Sequence, residues 1–359
     1  MTDDRSKALV PQGPTSLTPL GRLAERTLAE RTEREVRALV ATRTLVVGPG
    51  GYATISAAVE AAGHGDTVLV KPGRYKESVI VDGKTITIQG DGDRDTIVVG
   101  WDQGPAFVLV KTRSTLTGLT IVGGNPDPAS DGFASLGISG GAPQLDHLLL
   151  RNGGGVVFAG GAAGAIEHSE IRRNRCGILA YGGASPRIEG NEIWANVAFG
   201  MSIVGAGTDP LVRANRVHDG KGPGLLVREG ASPRIEGNEI WANAGLAIGI
   251  SGAGTDPLVR ANRVHDGKGP GILVDEGASP RIEANEVWSH ADVGIAILDA
   301  GTDPLVHANR VRGCKGSGIL VSGGASPTIR GNTITGNARG AILVTPESVP
   351  TLGRNVVSD

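Results

Sequence analysis

The chain has 359 residues, 35 Lys and Arg against 37 Asp and Glu, a net charge of −2, 57 glycines and only 3% aromatic residues. Near-neutral charge gives no electrostatic case for nucleic acid, and no apolar run is long enough to span a bilayer, so neither nucleic acid nor membrane is expected as a partner. The start, MTDDRSKALVPQGPTS, shows no basic region followed by an apolar run, and Cys176 and Cys314 are the only cysteines. A cytoplasmic chain with free thiols is expected.

In chain order, residues 17–42 carry Leu17, Leu20, Leu23, Leu28, Val36, Leu39 and Val40 at near-helical spacing. They predict an amphipathic helix of about 39 Å. Residues 1–43 are therefore read as a helical N-terminal extension, docked on the rest of the chain or used to bind a partner. Strand 44–47 comes next, followed by a short amphipathic helix near Thr54 to Ala62 that would plug the open end of a solenoid. The segment Gly73 to Glu77 reads GRYKE. Residues 122–137 form the longest insertion, with Asp127 and Asp131 in a loop of the kind that carries binding sites.

From Gly183 one phrase recurs every 47 residues: GASPRIEGNEIWAN at Gly183 and Gly230, GASPRIEANEVWSH at Gly277, GASPTIRGNTITGN at Gly324. A second phrase, TDPLVRANRVHDGKG, falls half a period later, so the structural step is 23 or 24 residues, the mark of a solenoid. After each proline (Pro186, Pro210, Pro233, Pro257, Pro280, Pro304, Pro327, Pro350) the chain alternates inward and outward residues, the period of a strand. A third short strand follows, as at Ile272 to Val274, and no step has room for a helix. Asn191, Asn215, Asn238, Asn262, Asn285, Asn309, Asn332 and Asn355 hold one corner of eight successive coils, where each amide can bond to the amide of the next coil. On this reading the two cysteines lie about six coils, roughly 29 Å, apart, too far to be joined.

These coils resemble the right-handed parallel β-helix proteins of the pectin-lyase-like superfamily over residues 44–359. The resemblance implies an all-β, single-stranded right-handed parallel β-helix with a capping helix at its N-terminal end, forming one domain. GRYKE resembles the opening of pectin methylesterases. The later Gln-Asp-Thr, Asp-Phe-Ile-Phe-Gly and Leu-Gly-Arg-Pro-Trp segments of that family are missing, so esterase chemistry is not carried over.

Stacking lets outward columns be read directly. One runs Asp146, Glu167, Glu189, Arg213, Glu236, Arg260, Glu283, and the next alternates Glu192, Arg216, Glu239, Arg263; each carboxylate is expected to pair with a cation above or below. At the top of the first column Asp146, Glu167 and Glu189 stack together with His147, His168 and Arg172 nearby. Like charges so close raise a carboxyl pKa or call for a metal, which makes Asp146, Glu167, Glu189, His168 and Arg172 the catalytic candidates. Trp194, His218, Trp241, His265 and Trp288 form a third column, either a stacking strip for sugars or peptide or a self-stacked coat. On the third strand Leu179, Leu226, Leu273 and Leu320 alternate with small residues, an apolar and chemically inert groove to be covered by the N-terminal helix, a second copy of the chain or a partner segment.

No His-Glu-x-x-His, Cys-x-x-Cys or Walker motif is present, so no cofactor and no metal is expected. Two functions follow. One is a non-enzymatic scaffold that holds a peptide, protein or polysaccharide chain along the groove or the Trp/His strip, resembling the β-helix module of some F-box proteins. The other is a carbohydrate- or peptide-modifying enzyme of lyase, epimerase or cyclase type, centred on Asp146, Glu167 and Glu189.

Overall fold

The computed structural model describes residues 42–92, 95–100, 104–123 and 134–358. The helix expected over 17–42, and with it any cover it gives the groove, lies outside them, as do Asp127 and Asp131. Three strands per coil stack into three parallel sheets of 14, 13 and 12 strands, a right-handed β-solenoid of about 13 turns. In the regular coils Arg187–Glu189 belongs to the first sheet, Glu192–Trp194 to the second and Cys176–Tyr181 to the third.

Register follows the repeat. Ile188, Val212, Ile235, Val259 and Ile282 pair in succession along the first sheet, and all are fully buried. Ile193, Val217, Ile240 and Val264 do the same in the second. Ile272 and Val274, with their counterparts, close the third side of the core. In the regular coils a strand of the first or second sheet has one inward side chain and a strand of the third about two, so no coil could exclude water alone; burial comes from the neighbours above and below.

The corners are as ordered as the strands. Between the first and second sheets, the backbone N–H and the side-chain Nδ2 of each Asn from Asn191 to Asn332 donate to the Oδ1 of the Asn one coil on, at 2.9–3.0 Å. Ser169 starts this ladder by donating its backbone N–H to Asn191. A second ladder, unread in the sequence, follows the second sheet. Asn174, Asn196, Asn243 and Asn337 each accept from the backbone N–H one coil before, that of Gly153, Asn174, Gly220 and Cys314 respectively. A third explains why the period is 47 rather than 23 or 24. Buried Thr208, Thr255 and Thr302 occur in alternate coils and accept from Gly183, Gly230 and Gly277.

His290 occupies the second ladder where other coils place Asn, Gly or Cys314. It is fully buried and fits because Gly267 lacks a side chain: a Cβ there would lie 2.8 Å from its Nδ1. Burial pushes the imidazole pKa below its usual 6.5, against the raising effect of the Val264 and Gly269 carbonyls. The unfolded chain therefore takes up the proton first. Stability is fully present above about pH 6.5 and is lost as pH falls toward the depressed folded value, by at most about 1.4 kcal/mol per pH unit. His290→Asn, which restores the ladder residue, is expected to flatten this acid limb; an unchanged slope in thermal melts between pH 7.5 and 5 would assign it to other groups.

The expected capping helix is present as α1 (Ile55–Ala61), started by Thr54, whose hydroxyl accepts from the Ala57 N–H. No helix among the described residues is long and apolar enough to cross a membrane. Cys176 and Cys314 are both free.

Candidate functional site

The third sheet departs from its sequence reading in one place. Leu226 is buried, Leu273 partly so, and between them stands Gly249, where a Cβ would meet Leu226 Cδ2 and Leu246 Cδ1 at 2.9 Å. Leu226 and Leu246 take the space that Cβ would fill, and with Gly249 and Leu273 they line a cleft of about 450 Å³. A second depression of about 220 Å³ lies further along the same column, between Leu320 and Leu343.

The face is not inert as expected. Two residues beyond the leucine column each strand presents a second outward residue, and these stack as Arg228, Ser251 and Asp275 along the wall of the cleft. Burial pushes the Asp275 carboxyl pKa up, and the neighbouring Glu276 and Asp299 carboxylates add to it, outweighing the Ser251 hydroxyl and Arg228. Asp275 Oδ1 is buried without a hydrogen-bond partner, and the nearby Ser251 Oγ donates to Glu276 at 2.5 Å. Glu229, Glu276 and Asp299 hold left-handed backbone, φ 57°, 52° and 72°, at a corner filled by Gly205, Gly252 and Gly323 in other coils. Left-handed backbone costs a side chain with a Cβ some strain, and it is shared here with other corners such as Asp219 and Asp266. The signal stands in the sequence as VDEG beside SGAG and VSGG, in the second outward residue of the strand and not in the first.

Asp146, Glu167 and Glu189 do stack as expected, yet their charges are not left to repel. Arg187 reaches sideways to Glu167 at 2.7 Å and to Glu189 at 3.8 Å, with Arg213 3.9 Å from Glu189. Partial burial acts to raise the Asp146 carboxyl, but hydrogen bonds and charge from His147 and His168 prevail and hold its pKa below the usual carboxylate range. The expected like-charge elevation is thus corrected at Asp146, where the two histidines prevail; Glu167 and Glu189 are paired with guanidinium groups from the adjacent and same columns. The same holds lower down, where Glu236 and Glu283 pair with Arg234 and Arg281 of their own strands at 2.9 and 2.7 Å. In the second sheet the vertical pairs form as read, Arg216 to Glu192 at 2.9 Å and Arg263 to Glu239 at 2.8 Å. Arg172 pairs with Glu170 at 2.8 Å, in the second sheet and away from Asp146.

The aromatic strip is a self-stacked column. Trp194, His218, Trp241, His265 and Trp288 lie within 3–11° of parallel, with centroids 4.1–6.1 Å apart. Arg172 and Arg173 close one end over Trp194 and Arg312 the other over Trp288. Of the two readings of this strip the ring geometry fits the coat, because the π-faces are already covered. Neither thiol is a ready nucleophile. Burial pushes Cys176 up to about 11 against the opposing charge of Arg175, and burial also raises Cys314.

Parallel coils, buried amide ladders and an acid-walled groove on one sheet define a protein of the single-stranded right-handed β-helix class. The chain belongs to the right handed beta helix region family, which matches residues 144–260 and 224–357. Among solved structures, a mutant of the periplasmic alginate epimerase AlgG is similar at 13% identity and TM-score 0.60, over 82% of this chain and 77% of that one. The receptor-binding protein of bacteriophage Det7, a podoviral tailspike in a myovirus, is similar at 12% identity and TM-score 0.62, over 90% and 76%. The catalytic unit of the thermostable GH87 α-1,3-glucanase of Streptomyces thermodiastaticus strain HF3-3 is similar at 15% identity and TM-score 0.53, over 89% and 70%. Such identities establish a common fold alone. A comparison with curated protein sequences finds no match.

Proposed function

We propose that this chain binds a polysaccharide along the outward groove of its third sheet and acts on it by acid–base catalysis, with Asp275 as the proton donor. The carrying observation is the Asp275 carboxyl, raised by burial and set in the wall of a cleft of about 450 Å³. A carboxyl held toward its protonated form can deliver a proton to a glycosidic or ring oxygen. The apolar floor of Leu226, Leu246 and Leu273 offers contact to the C–H face of a pyranose, and Arg228, Ser251 and Glu276 offer hydrogen bonds at its rim. A second depression on the same column suits a polymer rather than a single sugar.

Two structures that share the fold, an alginate epimerase and an α-1,3-glucanase, support carbohydrate as the substrate class. The non-enzymatic scaffold is favoured by missing family motifs and by an inert third-strand face; Asp275 in the cleft wall weighs against the second of these. Asp275→Asn is expected to lower product formation by roughly 10²–10⁴-fold while leaving polysaccharide retardation in affinity electrophoresis unchanged. The assay takes alginate, pectate and α-1,3-glucan, reading reducing ends, unsaturated products and epimerised sugars. Full activity in the variant, or no retardation of the wild type by any of the three, would reject the assignment.

A further inference from the structure

At the corner between the first and second sheets, successive coils place Gly118, His147, His168, Gly190, Ala214, Gly237, Ala261, Ala284, Ala308 and Gly331 in left-handed backbone, with φ between 46° and 67°. All but two are glycine or alanine, and the two exceptions are histidines in adjacent coils. A left-handed conformation disfavours any side chain with a Cβ, so a pair of imidazoles here works against the local preference of the chain. They converge on one carboxylate: Asp146 Oδ2 lies 2.7 Å from His147 Nδ1, and Oδ1 lies 3.0 Å from His168 Nδ1. The rings are 5.5 Å apart and tilted by 34°, and one donor atom from each of the three residues falls within 4.8 Å of the others.

We propose that Asp146, His147 and His168 form a binding site for a divalent transition-metal ion, Zn²⁺ being the type ion. Two imidazole nitrogens and one carboxylate oxygen are the donor set of borderline ions; calcium and magnesium need more oxygens than this corner holds. Glu167, the next residue of the acidic column, is held by Arg187 and is no competitor for the ion. Gly190 stands against the His168 ring, where a Cβ would touch Cδ2 at 3.4 Å and Nε2 at 3.7 Å, so its lack of a side chain leaves that edge of the imidazole uncovered. Both imidazoles are mostly exposed, at 66% and 61%, so the remaining coordination positions face solvent and take water or an anionic group. This site lies on a different sheet from Asp275 and does not depend on the proposed catalysis.

The test is calorimetric titration of the full chain with Zn²⁺, paralleled by Co²⁺ visible absorption, on the wild type, on His147→Gly/His168→Gly and on Asp146→Asn. Glycine is the residue this corner uses in other coils, so the double variant is expected to fold and to melt, without metal, no lower than the wild type. One ion per chain is expected in the wild type, with a tetrahedral Co²⁺ spectrum. In the double variant the affinity is expected to fall by more than about 100-fold, beyond the loss given by an outer partner alone. Absence of Zn²⁺ binding by the wild type, or equal affinity in the double variant and the wild type, would overturn the assignment. So would Ca²⁺ binding as tight as Zn²⁺.

Discussion

Asn238→Ala is expected to lower the unfolding free energy by about 3–5 kcal/mol. The Asn238 Oδ1 accepts both the backbone N–H and the Nδ2 of Asn215, and its own Nδ2 donates to the Val212 carbonyl and to Asn262 Oδ1. Alanine takes the acceptor from the buried Asn215 N–H and from one Nδ2 hydrogen, the other staying on the Ile188 carbonyl, and removes the Val212 carbonyl's side-chain donor; each such loss is worth about 1–3 kcal/mol, less what relaxation recovers. Asn355→Ala is the control. That residue is the last rung, half-buried and with no further Asn to donate to, so a loss well below that of Asn238→Ala is expected. Denaturant unfolding of the pair decides the matter: equal losses at the two ends of the ladder would mean that the amides merely fill corners.

Glu77→Ala is the second large effect, expected at about 3–4 kcal/mol and concentrated in the first coils. Helix α1 has seven residues, too few to be stable alone, and it is clamped at both ends by side chains of other coils. The Glu77 carboxylate accepts from the Ile55 N–H at 2.8 Å, the Ser56 N–H at 2.9 Å and the Ser56 hydroxyl at 2.7 Å. Lys84 Nζ donates to the carbonyls of Val59, Glu60 and Ala62 at 2.7–3.0 Å. A negative group at the N-terminus and a positive one at the C-terminus both match the helix dipole. Charge-assisted bonds of this kind are worth about 1.5–3 kcal/mol each and are not additive. GRYKE thus has a structural account, since Glu77 caps the helix and Tyr75 donates its hydroxyl to the Lys71 carbonyl. Hydrogen exchange should show Thr44–Val47 opening before the Asn ladder in the variant; uniform exchange along the chain would refute a local clamp.

Most of the fold was legible before coordinates, for a physical reason peculiar to solenoids. When each coil touches only its neighbours, separation along the chain converts almost linearly into position along the axis, and a periodic sequence becomes a stack of columns. Pro186 to Pro350 fixed the step, Asn191 to Asn355 fixed the corner, and the alternation around Ile188 and Ile193 fixed which residues face the core. The capping helix over residues 54–62 was recovered within a residue at each end.

Columns tell which residues lie one coil apart, but not where a long side chain reaches. Arg187 leaves its own column to neutralise Glu167, Arg234 pairs within its strand rather than across coils, and the tryptophans close on histidine rather than on solvent. The cleft beside Asp275 is lined by Gly249 and by two leucines that take the space its Cβ would fill, and His290 interrupts an amide ladder that spacing alone did not disclose. The sequence by itself determined the axis, the step and the inward faces, all set by backbone periodicity and the burial of apolar groups. Only the tertiary structure decided the charge partners of the first sheet, the shape of the cleft and the contact of both imidazoles with the two Asp146 oxygens, because these depend on rotamers and corner dihedrals that vary at constant period.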